Sequence, residues 1–538
     1  MTQTGTSAGS ETPAAGAEFT SLDPRTGEVV GSYPVHGAAQ VNEAVARAAR
    51  AAQWWAGLGF AGRRKRLRAW RKLLVKRIDR IAEVVTSETG KPADDARLEL
   101  VLAVDHLAWA ARNAQRVLGR RKVSAGVLMS NQSATLAYPP FGVVGVIGPW
   151  NYPVFTPMGS IAYALAAGNA VVFKPSEFTP GVGHALADTF AEALAGEGVG
   201  DASGAAGPDA AVAASGAGGA GGAGGASGAS GADHPVLQVV TGFGETGAAL
   251  CRSGVGKLAF TGSTATGRRV MAACAENLTP VLIECGGKDP LIVDADADLD
   301  AAADAAVWGG MSNAGQTCVG VERVYVVEPV ADEFLRRVVT RAHALRPGGE
   351  PTADFGPMTM PAQVDVVAGQ LRDALDKGAH ALVGGTASVR PPYIEPVVLT
   401  DVPEDSTAIT QETFGPLLTV NRVADTEEAI LRANATAYGL GASVFSAKRG
   451  EEIAARLRCG MVAVNGVITF AGVPALPFGG VGDSGFGRIH GEDGLREFAR
   501  AQAVTRQRFA PPIALMTFSR GARAMSRVMA LVRALYGR

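Results

Sequence analysis

The chain has 538 residues, 47% apolar and 19% charged, which is enough for two or three domains with large buried cores. A formal net charge of −1 excludes a global attraction to nucleic acid. The five cysteines form no CxxC pair and no zinc spacing, so we expect a reduced, cytoplasmic protein without a metal site. We also expect neither a signal peptide nor a membrane-spanning helix, because the basic and apolar runs that these require are absent.

The first part of the chain is predicted to be helical. Residues 1–17 are small and polar, which is typical of disorder. Apolar spacing predicts helices at 41–55, 63–89 and 93–118, the second ending at Gly90.

From residue 142 the pattern changes to short apolar strands separated by helices. The strands are predicted at 142–147, 168–174, 236–240, 257–260 and 280–284, and the helices between them at 157–167, 182–194, 246–253 and 264–276. Continuous β-branched strands alternating with helices indicate a parallel, doubly wound sheet. Residues 196–232 are almost entirely Gly, Ala and Ser, which predicts a flexible surface insertion within this domain.

A second α/β region is predicted after residue 286. Helices are expected at 298–315, 328–345, 426–435 and 450–458, and strands at 321–327, 442–447 and 461–465. We therefore predict an α/β fold in which a Rossmann-like cofactor domain (18–285) packs against a catalytic domain (286–480), with the active site in the cleft between them. Residues 481–510 should return to the first domain, and a hairpin at 123–138 is the candidate oligomerisation element.

The tail at 511–538 carries five arginines and no acid. On a helical wheel Arg520, Arg523 and Arg527 lie opposite an apolar face, which consists of Met525, Val528, Met529, Val532, Leu535 and Tyr536. This pattern predicts a basic amphipathic helix. Its apolar face could lie on a membrane, on its own subunit or on an oligomer partner.

Three residues carry a possible chemistry. Cys318 follows Gly-Gln-Thr after a predicted helix, Asn151 lies in a turn with two prolines, and Glu284 ends an apolar strand before two glycines. Singly, these could be a core cysteine, a turn residue and a paired acid. Together they offer a nucleophile, an oxyanion donor and a base.

Seven motifs lead to a family. GPWNYP, KPSE, FTGSTATG, ECGGK, GQTC, ETFGP and PFGGVGDSGFGR occur in the order found in the aldehyde dehydrogenase superfamily, and the resemblance covers roughly residues 21–505. It implies that Cys318 is the nucleophile, that Asn151 and the Cys318 N–H form the oxyanion hole, and that Glu284 activates the water that hydrolyses the thioester. Family members that acylate coenzyme A typically lack this glutamate, so its presence implies release of a free carboxylic acid.

The resemblance also implies the cofactor contacts. Lys174 and Glu177 are similar to the pair that holds the adenosine ribose, and the Glu177 carboxylate favours NAD over NADP. Gly262 and Ser263 resemble the pyrophosphate contact at a helix N-terminus. The remaining expected cofactor contacts are Trp150, Glu412 and Phe414, the last two near the nicotinamide ribose and ring.

Two features depart from the simplest expectation. Gly242 begins a literal GxGxxG, but no acid follows about 20 residues later, so we expect only a minor role near the adenine. Cys285 stands where the family commonly has Leu, and it is either inert or redox-sensitive, depending on its burial. Cys251, Cys274 and Cys459 have no partner motif and are expected to be packing residues.

The C-terminal third, 464–491, resembles the fatty and aromatic aldehyde branch, some members of which have a C-terminal helix at a membrane surface or over the substrate mouth. The resemblance therefore implies NAD-dependent oxidation of an apolar aldehyde by a homodimer or homotetramer. Trp308, Tyr152 and Phe478 are candidates for lining an apolar substrate tunnel, and each could equally be a core residue. The alternatives are a succinate-semialdehyde dehydrogenase, which needs a cationic pocket, and a catalytically idle, membrane-associated scaffold on the same fold.

Overall fold

The computed structural model describes residues 14–197, 234–350, 352–511 and 516–537. Most of the predicted disordered N-terminus and nearly all of the predicted insertion at 196–232 lie outside these residues.

The strands of the described residues are numbered β1 to β20 in chain order. They are Glu18–Leu22, Val29–Pro34, Arg121–Val123, Gln132–Ala137, Val143–Ile147, Ala170–Lys174, Leu237–Val239, Lys257–Gly262, Val281–Cys285, Asp289–Val293, Val321–Val327, His380–Val383, Val389–Arg390, Tyr393–Ile394, Val397–Thr400, Leu417–Val423, Gly441–Phe445, Met461–Val464, Gly485–Phe486 and Gln502–Gln507.

The helices of the described residues are numbered α1 to α16 in the same way. They are Ala38–Gly57, Gly59–Lys76, Ile78–Thr89, Ala93–Leu118, Phe155–Ala167, Pro180–Glu197, Gly244–Arg252, Thr264–Ala275, Leu299–Met311, Ala331–Ala344, Pro361–Asp376, Thr407–Thr410, Thr426–Ala433, Gly450–Ala454, Gly491–Glu497 and Ala524–Tyr536.

A six-stranded sheet forms the first half of the molecule. Its strand order is β19-β9-β8-β5-β6-β7, and all pairs except β19–β9 are parallel. The chain winds from β5 towards β7 and then returns to β8 on the other side of β5, so β5 lies at the topological switch point. Ligands of such sheets bind at the carboxyl ends of the strands at this point. The predicted doubly wound sheet is confirmed.

A seven-stranded sheet forms the second half, in the order β12-β15-β16-β11-β10-β17-β18. Only β12 is antiparallel to its neighbour. Strand β9 of the first sheet continues into β10 of the second through Gly286 and Gly287. The chain therefore passes from one sheet to the other beside Glu284.

A third sheet, β20-β4-β3, is small and antiparallel. All residues of β3 and β20 are exposed, and those of β4 are half-buried. Helix α16 follows this sheet, and none of its residues is buried. Arg520 and Arg523, predicted to share this helix with Arg527, precede its first residue.

Three predicted helices differ from the structure. The predicted helix at 63–89 is two helices, α2 and α3, separated at Arg77. The apolar spacing passes through the break without interruption, as at Leu74, Ile78 and Ile81, so periodicity could not reveal it. The helix predicted at 298–315 ends at Met311, because Asn313 and Ala314 adopt left-handed backbone angles. The helix predicted at 450–458 is shorter and ends at Ala454.

Within the described residues, none of the helices combines the length and the apolar character needed to cross a bilayer.

Candidate active site

The predicted site residues lie where the two large sheets face each other. Asn151, Lys174 and Glu284 are at the carboxyl ends of β5, β6 and β9. Cys318 and Glu412 precede β11 and β16, at the amino edge of the second sheet. The structure therefore brings residues from opposite edges of two sheets to one place.

A direct hydrogen bond connects Asn151 to the segment that carries Cys318. Asn151 is buried, and its Nδ2 donates to the carbonyl oxygen of Gln316 over 2.9 Å. An amide nitrogen has two hydrogens, so one remains available for a second acceptor. The Asn313 amide in turn donates to the Asn151 and Gln316 carbonyl oxygens, over 3.2 Å in each case. The predicted oxyanion donor is thus bonded to the chain two residues before the cysteine.

The segment before Cys318 adopts an unusual backbone. Asn313, Ala314 and Gly315 have φ values of 53°, 55° and 69°. At Gly315 a side chain would collide with the carbonyl of Gly415 in the neighbouring loop, so glycine is required there. This left-handed turn ends α9 and directs the chain towards Cys318.

Glu284 has the environment of a general base. It is 3% exposed, Thr261 Oγ1 donates to its Oε2 over 3.1 Å, and its Oε1 is buried without a hydrogen-bond partner. Burial raises the pKa of this carboxyl to about 7, against the smaller opposing effect of the Thr261 hydrogen bond. A base with such a pKa accepts protons efficiently near neutral pH.

The thiol of Cys318 is surrounded by carboxyl groups. Burial first, and then the charges of Glu284, Glu412 and Asp289, raise its pKa well above the ordinary thiol value. The protein without ligands therefore holds Cys318 as a neutral thiol. Attack on a carbonyl then requires a group that takes the thiol proton, and Glu284, Glu412 and Asp289 each have a buried oxygen without a hydrogen-bond partner.

Lys174 and Glu177 lie at the carboxyl end of β6. Lys174 is buried and donates to the Pro175 carbonyl oxygen, and its Nζ is 4.0 Å from Glu177 Oε2. Burial lowers the pKa of Lys174, against the opposing charge of Glu177. Ser263 caps α8 by accepting the Thr266 N–H over 3.4 Å, and Gly262 ends β8. These groups offer ribose-binding and anion-binding positions at the switch point.

Glu412 and Phe414 lie on the opposite side of this cleft. The Glu412 Oε1 is buried without a partner, and a side chain at Gly286 would collide with this carboxylate. Burial first, and then Glu322, raise the pKa of Glu412 to about 8. Trp150 packs edge-on against Phe414 and Phe178, with ring centroids 5.5 and 6.4 Å apart. The Glu412 carboxylate therefore lies against the backbone of Gly286 and keeps one oxygen that could accept a hydrogen bond from a ribose hydroxyl of a dinucleotide.

Gly242 begins a loop that leads into α7. It has a φ of 138°, and a Cβ on Gly247, in the first turn of α7, would lie 3.7 Å from Lys174 Cδ. The literal GxGxxG therefore lies beside Lys174, and strands β6 and β5 separate β7, which precedes it, from β8, which precedes the Ser263 turn.

Cys285 is buried directly after Glu284. Burial raises the pKa of its thiol to about 12, so it is a poor nucleophile. Cys251 and Cys274 are also buried, whereas Cys459 is half-buried with its Sγ 3.2 Å from the Met461 carbonyl oxygen.

The aromatic candidates differ in placement. Tyr152 OH is 3.0 Å from Thr317 Oγ1, next to Cys318. Phe478 is buried and 6.3 Å from Phe470, whereas Trp308 is 48% exposed.

Sequence reasoning missed two buried ion pairs beside the site. Lys91 pairs with Glu99 over 3.0 Å, and Lys288 pairs with Glu322 over 2.6 Å. Lys91 follows Gly90 immediately and Lys288 ends the ECGGK motif, so both were visible in the sequence. Their burial was not visible, because charged residues are usually exposed.

Comparison with known proteins gives one consistent result. The family model described as "Aldehyde dehydrogenase family" matches residues 12–210 and 226–504. A 4,4'-diapolycopene aldehyde oxidase of Methylomonas sp is 36% identical over 482 residues, which are 89% of this chain and 84% of that protein. A protein of Mycobacterium ulcerans is 36% identical over 490 residues, which are 90% of this chain and 87% of that protein. It is named as a candidate NADP(+) succinate-semialdehyde dehydrogenase. The crystal structure of an aldehyde dehydrogenase from Brucella melitensis biovar abortus has a TM-score of 0.81 at 33% identity, covering 93% of this chain and 96% of that one.

Proposed function

The chain belongs to the aldehyde dehydrogenase family, and on that premise we propose that it oxidises an apolar aldehyde to the carboxylic acid with NAD as the acceptor. The observation that carries the proposal is the hydrogen bond from Asn151 to Gln316, since it holds an oxyanion donor beside Cys318. The free oxygen of Glu284, whose charge acts on the Cys318 thiol, supplies the base.

The proposed reaction has two stages. In the first, the Cys318 sulfur bonds to the aldehyde carbon while its proton passes to Glu284, and Asn151 Nδ2 and the Cys318 N–H donate to the oxyanion. Nicotinamide supplies the hydride acceptor when it is bound, which leaves an acyl group on the cysteine. In the second stage Glu284, after losing its proton to solvent, takes a proton from water, and the hydroxide adds to the acyl carbon. The carbon–sulfur bond then breaks, the acid leaves, and the Cys318 sulfur regains its proton from Glu284.

Lys174 and Glu177 would hold the adenosine ribose, and Ser263 with Gly262 would contact the pyrophosphate. Gly242 would lie near the adenine, and Glu412, Phe414 and Trp150 would hold the nicotinamide half. The Glu177 carboxylate would repel a 2′-phosphate, which supports NAD, although relatives are named for NADP(+).

Two observations support an apolar, uncharged substrate. The acidic groups Glu284, Glu412 and Asp289 act on the Cys318 thiol, whereas a second carboxylate on the substrate would need a cation. The relative from Methylomonas is named for a carotenoid aldehyde.

The alternative, a succinate-semialdehyde dehydrogenase, is supported by the name of the Mycobacterium relative. The scaffold alternative conflicts with the retention of Cys318, Asn151 and Glu284.

An aldehyde panel tests the proposal. Hexanal, decanal, benzaldehyde and succinic semialdehyde are each offered with NAD, and NADH formation is followed by absorbance. We expect the highest kcat/KM with decanal or benzaldehyde. A preference for succinic semialdehyde would select the alternative. The Cys318→Ala variant should bind NAD without turnover, and normal turnover in this variant would contradict the mechanism.

The basic end of the chain suggests where the enzyme works. Residues 511–538 contain five arginines and no acid. The apolar residues of α16 are not buried against its own subunit. We propose that this helix lies on the anionic inner surface of the cytoplasmic membrane, where an apolar aldehyde would dissolve.

Flotation with phosphatidylglycerol vesicles tests the membrane proposal. The full chain should float and a chain ending at Ala510 should not. If neither floats and the truncation lowers the mass of the assembly, α16 contacts a second copy instead. Equal flotation of both forms would also contradict the proposal.

A further inference from the structure

Two buried Lys–Glu pairs remain after the reacting residues have been assigned. The side chains of Lys91 and Glu99 are 1% and 0% exposed, and those of Lys288 and Glu322 are 0% and 6% exposed. Burial of an ion pair rarely stabilises a protein by itself, because the loss of hydration offsets the attraction. The positions of these two pairs therefore call for another explanation.

The first pair is bonded to the segment that carries Asn151. Lys91 Nζ donates to the Asn151 carbonyl oxygen over 2.7 Å and lies 4.3 Å from the centre of the Tyr152 ring. Glu99 Oε1 accepts the N–H groups of Val154 and Phe155 over 2.6 and 2.9 Å. These N–H groups begin α5 and have no carbonyl partner within the helix. The pair thus holds the segment at both ends.

The second pair is bonded to the segment that carries Glu412 and Phe414. Glu322 accepts the Thr413 N–H over 2.9 Å and the Phe414 N–H over 2.9 Å. Lys288 Nζ donates to Thr413 Oγ1 over 2.7 Å. Phe414 has a φ of 49°, so these bonds hold a backbone conformation that a phenylalanine rarely adopts. As in the first pair, the glutamate accepts two successive backbone N–H groups and the lysine donates to the same segment, here beside the second sheet.

We propose that each pair is a positioning device for one half of the reaction. Lys91 and Glu99 set the position of the Asn151 amide, and Lys288 and Glu322 set the position of Glu412 and Phe414. The inference rests on the proposed roles of Asn151, Glu412 and Phe414. Hydrogen bonds to charged groups are the stronger ones, and in the second segment they add to the neutral bonds that Gln363 and Gln370 donate to the Thr413 and Glu412 carbonyl oxygens.

The proposal predicts that loss of the first pair and loss of the second pair affect different activities. Paired replacements are used, Lys91→Met with Glu99→Gln and Lys288→Met with Glu322→Gln, because removing both charges avoids a buried unpaired one. Each full-length variant is assayed for NADH formation and for hydrolysis of p-nitrophenyl acetate without cofactor. The ester acylates Cys318 with loss of p-nitrophenolate, and water then releases acetate from the cysteine. Ester hydrolysis therefore requires the oxyanion donor but no hydride acceptor.

Different patterns of loss are expected. Replacement of the first pair should lower both activities by about 10²-fold, the effect of displacing a reacting group by roughly 1 Å. Replacement of the second pair should raise the KM for NAD and lower NADH formation far more than ester hydrolysis. The matched control is Lys257→Met with Glu497→Gln, which removes both charges of the partly buried ion pair at the start of β8 and should leave both activities unchanged.

A double-mutant cycle distinguishes positioning from general loss of structure. If the first pair acts through Asn151, Asn151→Ala should cost little in the paired variant although it costs about 10²–10³-fold in the parent. Additive costs, or equal loss of both activities in both paired variants, would overturn the inference. If Asn151→Ala has no effect in the parent, the proposed function fails instead. Should a paired variant not fold by circular dichroism, Glu99→Asp or Glu322→Asp, which keeps the charge on a shorter side chain, provides the same comparison.

Discussion

At the scale of single residues, the proposed chemistry depends on groups that are buried or half-buried. Glu284 keeps one oxygen without a partner, and Cys318 is held as a thiol by burial and by neighbouring carboxylates. Cys318, Glu284 and Asn151 could be predicted because each lies in a short motif next to a strand. Lys91 and Glu99 could not, because their burial depends on a segment that lies about 60 residues further along the chain.

The raised pKa of Glu284 predicts a pH dependence. The base is active only without its proton, so kcat should fall as the pH decreases through about 7. Glu284→Gln should lower kcat by about 10²–10⁴-fold and remove this step from the profile. The measurement is kcat for decanal between pH 5.5 and 9, with the exposed Glu276→Gln as the control. An unchanged step in Glu284→Gln would assign it to another group.

The carboxylate of Glu177 predicts the cofactor preference. Glu177→Gln removes the charge that would repel a 2′-phosphate, so the ratio of kcat/KM for NAD to that for NADP should fall by about tenfold, as for the loss of one charge interaction of roughly 1.4 kcal/mol. Steady-state assays with each cofactor measure the ratio, and Glu276→Gln again provides the control. A ratio that does not change would mean that Glu177 does not face the ribose.

At the scale of elements, helix ends fix the site as firmly as strands do. Gly90 ends α3 with a φ of 74°, and Thr359 Oγ1 donates to the preceding Thr89 carbonyl oxygen over 2.9 Å. The Thr359 N–H in turn donates to the Gln316 side chain, close to Cys318. The end of α3 was predicted correctly from Gly90. The break between α2 and α3 was not, because the apolar spacing continues through it.

The end of α3 should be sensitive to substitution. In Gly90→Ala the new Cβ would lie 2.5 Å from Pro357 Cγ, and the left-handed backbone adds a cost, so the free energy of unfolding should fall by at least about 1–2 kcal/mol. Urea denaturation measures this change. Gly57→Ala, at the end of α1 with no neighbouring atom within 4 Å, is the matched control and should not destabilise. Equal effects of the two would contradict the role of Gly90.

At the scale of the whole molecule, parallel sheets were easier to predict than assembly. Five apolar strands between helices indicated the first sheet, because a sheet covered on both faces leaves a continuous apolar pattern. The β20-β4-β3 sheet brings together segments more than 360 residues apart in the chain, such as Thr135 and Val504. The apolar pattern within a short segment cannot predict pairing between strands so far apart in the chain. A three-stranded sheet with so little burial is marginal by itself, which supports the proposed homo-oligomer.

The exposed sheet provides a test of assembly. Val504 on β20 is 38% exposed, and Val504→Glu would place a charge in the proposed interface. We expect sedimentation velocity to show a dimer or tetramer for the parent chain and mainly monomer for this variant. Val75→Glu, on α2 and 52% exposed, is the control. An unchanged mass in Val504→Glu would place the interface elsewhere.

The hydrogen bond between Asn151 and Gln316 has a consequence for refolding. Its donor follows β5 of one sheet and its acceptor precedes β11 of the other, so the bond forms only after the two halves have docked. A folding intermediate with one completed sheet would show much of the native circular dichroism and intrinsic fluorescence but no enzymatic turnover. Recovery of activity therefore reports the last assembly step, and we expect it to lag behind both optical signals.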